Sequence, residues 1–454
     1  MFEKKVLVAG AGKSGICACE LLVRNGISVI LFDQNDKLDK NKVIETFDKA
    51  FDADKVEIHI GELTEEIINQ IELMVISPGI PVDSDFVITI KNAGIPVWSE
   101  IELAYYFEKG KVAAITGTNG KTTTTTLVGR IIKNHNPSTY VVGNIGLPYT
   151  NIADKTTDLS VSVAEISSFQ LETIDKFKPH VCAILNITPD HLDRHYTFDN
   201  YAKCKYDISM NQDENDYIVL NYDDPETVKR AECTKAKIIY FSRKERLAEG
   251  VYVDRDDILI RENDIVKKVL SLKDIKLLGT HNIENILAAV AVTYYMGVPV
   301  GTIAKTCIEF QGVEHRIEYV RTVNGVKYYN DSKGTNPDAA IKAIKAMTTT
   351  TFLIGGGYDK KSSYDEWIEA FDAKVKYLVL LGQTANDIAL CAKNHGYYSI
   401  AHVESLEEAV EFCYNNAKPG DAVLLSPACA SWGMFENYEQ RGNMFKEFVM
   451  KLEE

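Results

Sequence analysis

The chain has 454 residues, 45% of them hydrophobic, enough for about three globular domains. Its net charge of −15 argues against a nucleic-acid partner, which calls for a basic face, but leaves room for anionic small ligands at a local positive site. No apolar run approaches the ~20 residues of a membrane helix, and the opening Met1-Phe2-Glu3-Lys4-Lys5 lacks a signal-peptide layout, so a cytoplasmic protein without membrane insertion is expected.

In chain order, the first unit is an apolar run Val6–Ala9, the turn Gly10-Ala11-Gly12-Lys13-Ser14-Gly15 and a helical pattern to about Asn25. With Asp33 closing the next apolar run, this matches a dinucleotide fingerprint, whose physical task is to hold a diphosphate at a helix N-terminus. Gly94–Ser99 reads as a last short strand and a linker. The second unit is Val112–Thr116, the turn Gly117-Thr118-Asn119-Gly120-Lys121-Thr122 and a helix to about Lys133. A further strand, Leu159–Ala164, runs into Glu165. Thr188 reads as a helix N-cap with Pro189 at the first helical position. The charged stretch Glu249–Asp274 alternates like a small antiparallel excursion. Helical patterns from Asn282 to Phe310 end at a second hinge, Gln311-Gly312-Val313. A strand follows at Val326–Tyr329. The third unit begins with Thr351–Ile354 and Gly355-Gly356-Gly357, and a strand Tyr377–Leu381 comes next. Strands alternating with helices imply parallel sheets covered on both faces. The nine cysteines form no C-x-x-C pair, so neither a zinc ribbon nor a thioredoxin-type motif is expected, and Cys429 reads as a small buried thiol.

The most informative segment is the second turn. Backbone N–H groups of Gly117, Thr118, Asn119 and Gly120, with the helix N-terminus behind them, can cradle phosphate oxygens. Lys121 can reach the outer phosphates of ATP, and the hydroxyl of Thr122, followed by Thr123, can ligate Mg²⁺. Ile115 stands where the general phosphate-loop pattern has its first glycine, so the loop is a shortened form.

That shortened loop resembles the one found in the Mur ligases. The resemblance continues in order through Val163–Glu172, Asn186–His195, Gly279–Asn285, His315-Arg316, Asn330–Pro337 and Leu425–Ser431. Within the family it lies nearest the branch that joins D-glutamate to UDP-N-acetylmuramoyl-L-alanine. The resemblance implies a three-domain α/β fold: a Rossmann-like domain over 1–98 for the UDP-linked substrate, a central P-loop-type ATPase domain with a mixed sheet over 99–312, and a Rossmann-like domain over 313–454 for the amino acid. It implies ATP, two Mg²⁺ sites and a carbamate on Lys205; a monomer is expected. The implied chemistry is phosphorylation of a carboxylate, then attack of an amine on the acyl phosphate.

Residue by residue, the resemblance gives Lys121, Glu165, His191, Lys205 and Lys333 to catalysis, and Thr122, Glu165, His191 and carbamylated Lys205 to metal. Asn282, Asn285, Arg316 and Asp331 join the phosphate loop at ATP. Lys13, Ser14, Asp33, Ser77, Gly79, Asn144 and His191 hold the UDP-linked substrate; Thr335, Lys360, Ser431 and Tyr438 hold D-glutamate. Some positions have a competing reading. Lys203 rivals Lys205 if the register slips by two. Asn282 could cap its helix. His191 and His195, four apart, could form a zinc pair, although no third ligand is signalled. A sister ligase adding another amino acid or a folate polyglutamate ligase would share the central motifs. A nicotinamide oxidoreductase would explain Gly10–Gly15 but leave Gly117–Thr123, Glu165 and His191 idle. A nucleotide switch would leave the ~140 residues after Gly312 without a role.

Overall fold

In the computed structural model, residues 2–49, 51–277, 279–359 and 362–453 are described, except the side chain of Cys233. They form three sheets. The first comprises β1 (Lys5–Ala9), β2 (Val29–Asp33), β3 (Val56–Ile60), β4 (Ile71–Ile76) and β5 (Val97–Ser99), in the order β3-β2-β1-β4-β5. All its pairs are parallel. The order reverses beside β1, so a crevice opens at the C-terminal end of that strand. The expected turn and helix stand there, the helix running Lys13–Arg24.

The central sheet comprises β6 (Lys111–Thr116), β7 (Thr139–Gly143), β8 (Val161–Glu165), β9 (Val181–Ile184), β10 (Tyr217–Asn221), β11 (Lys237–Ser242), β12 (Gly250–Asp254), β13 (Asp257–Glu262) and β14 (Ile265–Ser271). Its order is β14-β13-β12-β11-β10-β9-β6-β8-β7. The alternating, charged stretch is indeed antiparallel: β12 pairs with β13 and β13 with β14 in that sense, giving a mixed sheet. β6 lies between β8 and β9, buried on both faces, which is why it reads as a near-continuous apolar run.

The third sheet comprises β15 (Glu318–Val323), β16 (Val326–Asn330), β17 (Thr351–Gly355), β18 (Val375–Leu380), β19 (Ile400–His402) and β20 (Ala422–Leu425), in the order β15-β16-β20-β17-β18-β19. Only its edge pair β15–β16 is antiparallel.

The chain divides into two compact units: Met1–Ile275 with His281–Glu309, and Lys276–Thr280 with Phe310–Glu454. The first unit holds the first two sheets on a shared core that runs from Val6, Leu31 and Leu73 through Ile101 and Tyr149 to Leu171 and Cys182. The second unit buries both faces of its own sheet. Trp367, Leu353 and Leu424 lie on one side; Phe352, Val423 and Phe445 lie on the other.

One local expectation is corrected. Thr188 and Pro189 do not start a helix; the short helix begins at Leu192, with His191 as its N-cap at φ 51°. The backbone of Thr188 is engaged instead by Thr118, whose hydroxyl accepts from Thr188 N at 3.0 Å and donates to Thr188 O at 3.1 Å. A tertiary contact has taken the backbone carbonyl that would otherwise accept the first intrahelical bond.

Candidate functional site

The phosphate loop joins β6 to the helix Lys121–His135. Gly117 and Gly120 have φ of 151° and 85°. At Gly120 a Cβ would also sit 2.2 Å from Asn285 Oδ1, so this position excludes any side chain on two independent grounds. The turn is braced by the segment after β9. Asn119 N donates to Asn186 Oδ1 at 2.8 Å, Asn186 Nδ2 donates to Asn119 O at 3.1 Å, and Thr118 N donates to Asn186 O at 3.0 Å. Lys121 Nζ curls back onto Gly117 O and Thr118 O, at 2.8 and 2.9 Å. Cationic side chain, glycine turn and helix N-terminus therefore converge on one spot.

Two buried ionisable groups border this loop. Glu165 ends β8 at 1% exposure. Its Oε1 accepts from Asn144 Nδ2 at 2.8 Å, whereas its Oε2 is buried with no hydrogen-bond partner. An orphaned carboxylate oxygen beside a phosphate loop suits a hard cation such as Mg²⁺, so the residues present fit that ion. Lys205, also 1% exposed, lies in the helix Phe198–Tyr206 and donates to Gly117 O at 2.9 Å. Its Nζ sits 4.6 Å from the Tyr201 ring centre. Burial first, and the nearby Lys121 ammonium second, push its pKa down from the usual 10.5 to about 7. Lys203 is exposed.

The two histidines separate. His191 is exposed and packs its ring 4.9 Å from that of Phe169. His195 is buried, with Nε2 2.9 Å from Ser168 Oγ and Nδ1 3.6 Å from Glu172 Oε1. The structure does not pair them as a zinc site: His195 is already engaged elsewhere. Asn282 does not cap its helix, which starts at Thr280. Its Oδ1 accepts from Asn285 Nδ2 at 3.0 Å, and Asn285 packs against Gly120.

At the first sheet, Gly15 packs so tightly that a Cβ would lie 1.9 Å from Gly10 O. Asp33 accepts from Ala11 N at 2.9 Å and from Asn35 N at 3.0 Å, holding the turn from below. A Cβ on Gly10 would approach Ser77 Oγ to 2.7 Å, so the Ser77–Gly79 segment lies directly against the turn. Lys13, Ser14 and Asn144 line one cavity of ≈ 190 Å³ between the first and central sheets. Through Asn144 that cavity borders Glu165.

The second unit gathers its own candidates. Asp331 is buried; its Oδ2 accepts from Ser426 Oγ at 2.7 Å and its Oδ1 from Ile317 N at 3.2 Å. Burial raises its pKa to about 7 against these hydrogen bonds and the positive Arg316. Lys333 N donates to His315 O at 3.0 Å, and Lys333 Nζ lies 5.5 Å from the centre of the Tyr438 ring. Thr335 N donates to Lys333 O at 2.8 Å. Arg316 is exposed and Ser431 is buried. Cys429 is a buried thiol as expected, 3.2 Å from Tyr364 Oη and 3.3 Å from Thr384 Oγ1, and burial raises its pKa. Lys360 lies outside the described residues.

Several residues around the site carry no sequence signal of their own. Arg194 donates to Glu172 Oε2 at 2.6 Å and to Ile80 O at 2.7 Å, tying the segment after Gly79 to the central sheet. Glu100 and Gln170 form a buried pair at 2.8 Å. Gln170 and Arg194 fall inside motifs already noted, but their partners lie at distant positions in the chain.

Three family descriptions match in order: Mur ligase MurD-like, N-terminal domain over residues 4–99; Mur ligase middle domain over 115–293; and Mur ligase, glutamate ligase domain over 315–429. The chain is 52% identical over 451 residues to the UDP-N-acetylmuramoylalanine–D-glutamate ligase of Lachnoclostridium phytofermentans, covering 99% of each chain. It is 54% identical over 450 residues to the ligase of the same name from Lachnospira eligens, again covering 99% of both. Among solved structures it shares its fold with the UDP-N-acetylmuramate-alanine ligase MurC of Thermotoga maritima, at TM-score 0.57, 18% identity and 99% coverage of each chain. The MurF ligase of Thermotoga maritima in complex with ADP is similar at TM-score 0.57 and 18% identity, covering 99% of this chain and 96% of that one. An α/β fold of three sheets, a built phosphate loop and shared identity along nearly the whole length agree: the chain belongs to the Mur ligase family.

Proposed function

We propose that this chain is the ATP-dependent ligase that joins D-glutamate to UDP-N-acetylmuramoyl-L-alanine in peptidoglycan precursor synthesis. The observation that carries the reading is a phosphate loop flanked by two buried ionisable groups, Glu165 with its orphaned Oε2 and Lys205. A nicotinamide oxidoreductase would have no use for that constellation. The full-length relatives favour D-glutamate over the amino acids of sister ligases.

In the proposed reaction, the terminal carboxylate of the UDP-linked substrate attacks the γ-phosphorus of ATP and ADP leaves. The amine of D-glutamate then attacks the acyl phosphate carbonyl, and phosphate leaves. Such steps depend on positioning and charge stabilisation. The Gly117–Thr123 backbone and Lys121 hold the phosphates, with Asn282 and Asn285 at the adenine; the family resemblance also gives Arg316, Asp331 and Lys333 to ATP. Thr122, Glu165, His191 and carbamylated Lys205 would hold Mg²⁺ at two sites, and the metal would supply neutralising charge for the transferring phosphoryl group. A pKa near 7 leaves Lys205 substantially as the neutral amine that CO₂ requires. Lys13, Ser14, Asp33, Ser77, Gly79, Asn144 and His191 hold the UDP-linked substrate. Thr335, Lys360, Ser431 and Tyr438 receive D-glutamate. The proposal includes domain boundaries at 98/99 and 312/313, a monomer and a cytoplasmic location.

The test is phosphate release from ATP and Mg²⁺ with UDP-N-acetylmuramoyl-L-alanine, with and without D-glutamate. L-glutamate, L-lysine and meso-diaminopimelate serve as controls. Release requiring both the UDP-linked substrate and D-glutamate is the expected result. Release with another amino acid would move the chain to a sister activity. No release from folded, ATP-binding protein would refute the ligase reading.

A further inference from the structure

Glu100 is the first residue of the helix Glu100–Phe107, directly after its N-cap Ser99. An acid here complements the helix dipole, but an exposed one would do so equally well. Glu100 is 4% exposed, and a carboxyl that deep in a protein normally has every oxygen engaged. Only one is. Oε1 accepts from Gln170 Nε2 at 2.8 Å, and Oε2 is buried without a hydrogen-bond partner. Burial lifts the pKa to about 7 against the help of Gln170 and of the residue's own backbone N–H. Both Glu100 and Gln170 line the ≈ 190 Å³ cavity that also takes Lys13, Ser14, Asn144 and Tyr149.

The position of that cavity says what part of a ligand would meet it. Lys13 and Ser14 open the helix behind the glycine turn and suit a diphosphate. Asn144 donates to Glu165, which the proposed function sets beside the reacting carboxylate and phosphate. A UDP-linked substrate with its diphosphate at the first end and its carboxylate at the second would span the cavity with its sugar–peptide portion, which carries hydroxyl and amide N–H donors. A carboxylate acceptor suits those donors and would repel a phosphate.

We propose that Glu100 is a specificity-determining substrate contact: Oε1 holds the Gln170 carboxamide in place, and Oε2 accepts a hydrogen bond from an O–H or N–H of the sugar–peptide portion. The inference rests on the ligase reading above. Its test compares binding of UDP and of UDP-N-acetylmuramoyl-L-alanine, without ATP, to the wild-type chain and to Glu100→Gln and Glu100→Ala. Glu100→Gln can keep its oxygen toward Gln170 while turning the Oε2 position from acceptor to donor.

In both variants UDP binding stays within about twofold, and the full substrate weakens by about tenfold or more, as expected for a lost hydrogen bond to a charged group. KM for the UDP-linked substrate rises in step, with KM for ATP unchanged. Full-substrate affinity at the wild-type level in Glu100→Gln would overturn the proposal. Equal weakening of UDP and full substrate would overturn it too, because it would mean general damage to the domain. A wild-type chain that releases no phosphate refutes the ligase reading itself. An active wild type with an unchanged Glu100→Gln refutes only this inference.

Discussion

Lys205→Met should make the protein more stable at neutral and acidic pH while abolishing its activity. The wild-type lysine is charged in the unfolded chain up to about pH 10.5 and is neutral in the fold above about pH 7. Between those values the unfolded chain binds the extra proton, so this residue makes stability rise with pH across the window, and its penalty is complete below pH 7. At about 1.36 kcal/mol per pH unit, the gap from 10.5 to about 7 amounts to ~5 kcal/mol. Methionine fills a similar volume with no charge to bury, but forfeits the bond from Nζ to Gly117 O, worth ~1 kcal/mol. The expected net gain is therefore ~3–4 kcal/mol at pH 6, shrinking to ~1 kcal/mol at pH 9, where most of the penalty has already lapsed. Denaturant or thermal midpoints of both proteins at pH 6 and pH 9, in CO₂-free buffer, measure it. Added bicarbonate should stabilise the wild type alone, through the carbamate. A variant no more stable than wild type at pH 6, or an advantage that does not shrink by pH 9, would refute the reasoning.

Other perturbations test neighbouring parts of the site. Gly120→Ala places a methyl group 2.2 Å from Asn285 Oδ1 at a φ of 85°; the backbone alone costs ~1–2 kcal/mol, and ATP affinity should fall by at least tenfold in a direct binding titration. Glu165→Gln keeps the size of the side chain but weakens the oxygen donor; phosphate release should drop by about 10²-fold and need more Mg²⁺ to reach half its maximum. Arg194→Ala strands Glu172, 11% exposed in its side chain, and frees Ile80 O; a stability loss of ~2–4 kcal/mol is expected, with a raised KM for the UDP-linked substrate because the segment carrying Ser77 and Gly79 loses its tie. An unchanged unfolding midpoint and KM would remove Arg194 from that role.

The units of strand, glycine turn and helix were legible in the sequence because each signal is local. Apolar runs of four to six residues, glycines where φ must be positive or backbone must approach closely, and helical periodicity all lie within about twenty residues. Gly10, Gly15, Gly117 and Gly120 occupy the strained or crowded places such a turn creates. The antiparallel stretch after β11 was readable by its alternation. Thr188-Pro189 misled because a cap is a local preference, and the hydroxyl of Thr118, some seventy positions earlier, engages the backbone of Thr188 instead.

Sequence alone therefore determined which segments could hold phosphates and in what order the domains come, since hydrophobic period and glycine placement are properties of neighbouring residues. Tertiary structure decided the state of each ionisable group. Lys203 and Lys205 are chemically equal in the sequence, yet positions two apart on a helix point to nearly opposite sides, so one meets water and the other is sealed above Tyr201 with its pKa near 7. Glu100 reads as an ordinary first-turn acid until the fold closes Gln170 over one oxygen and leaves the other without a partner. Burial, and the partners that accompany it, come from segments far away in the chain, and the desolvation they impose is what turns a common side chain into one fit for binding or chemistry.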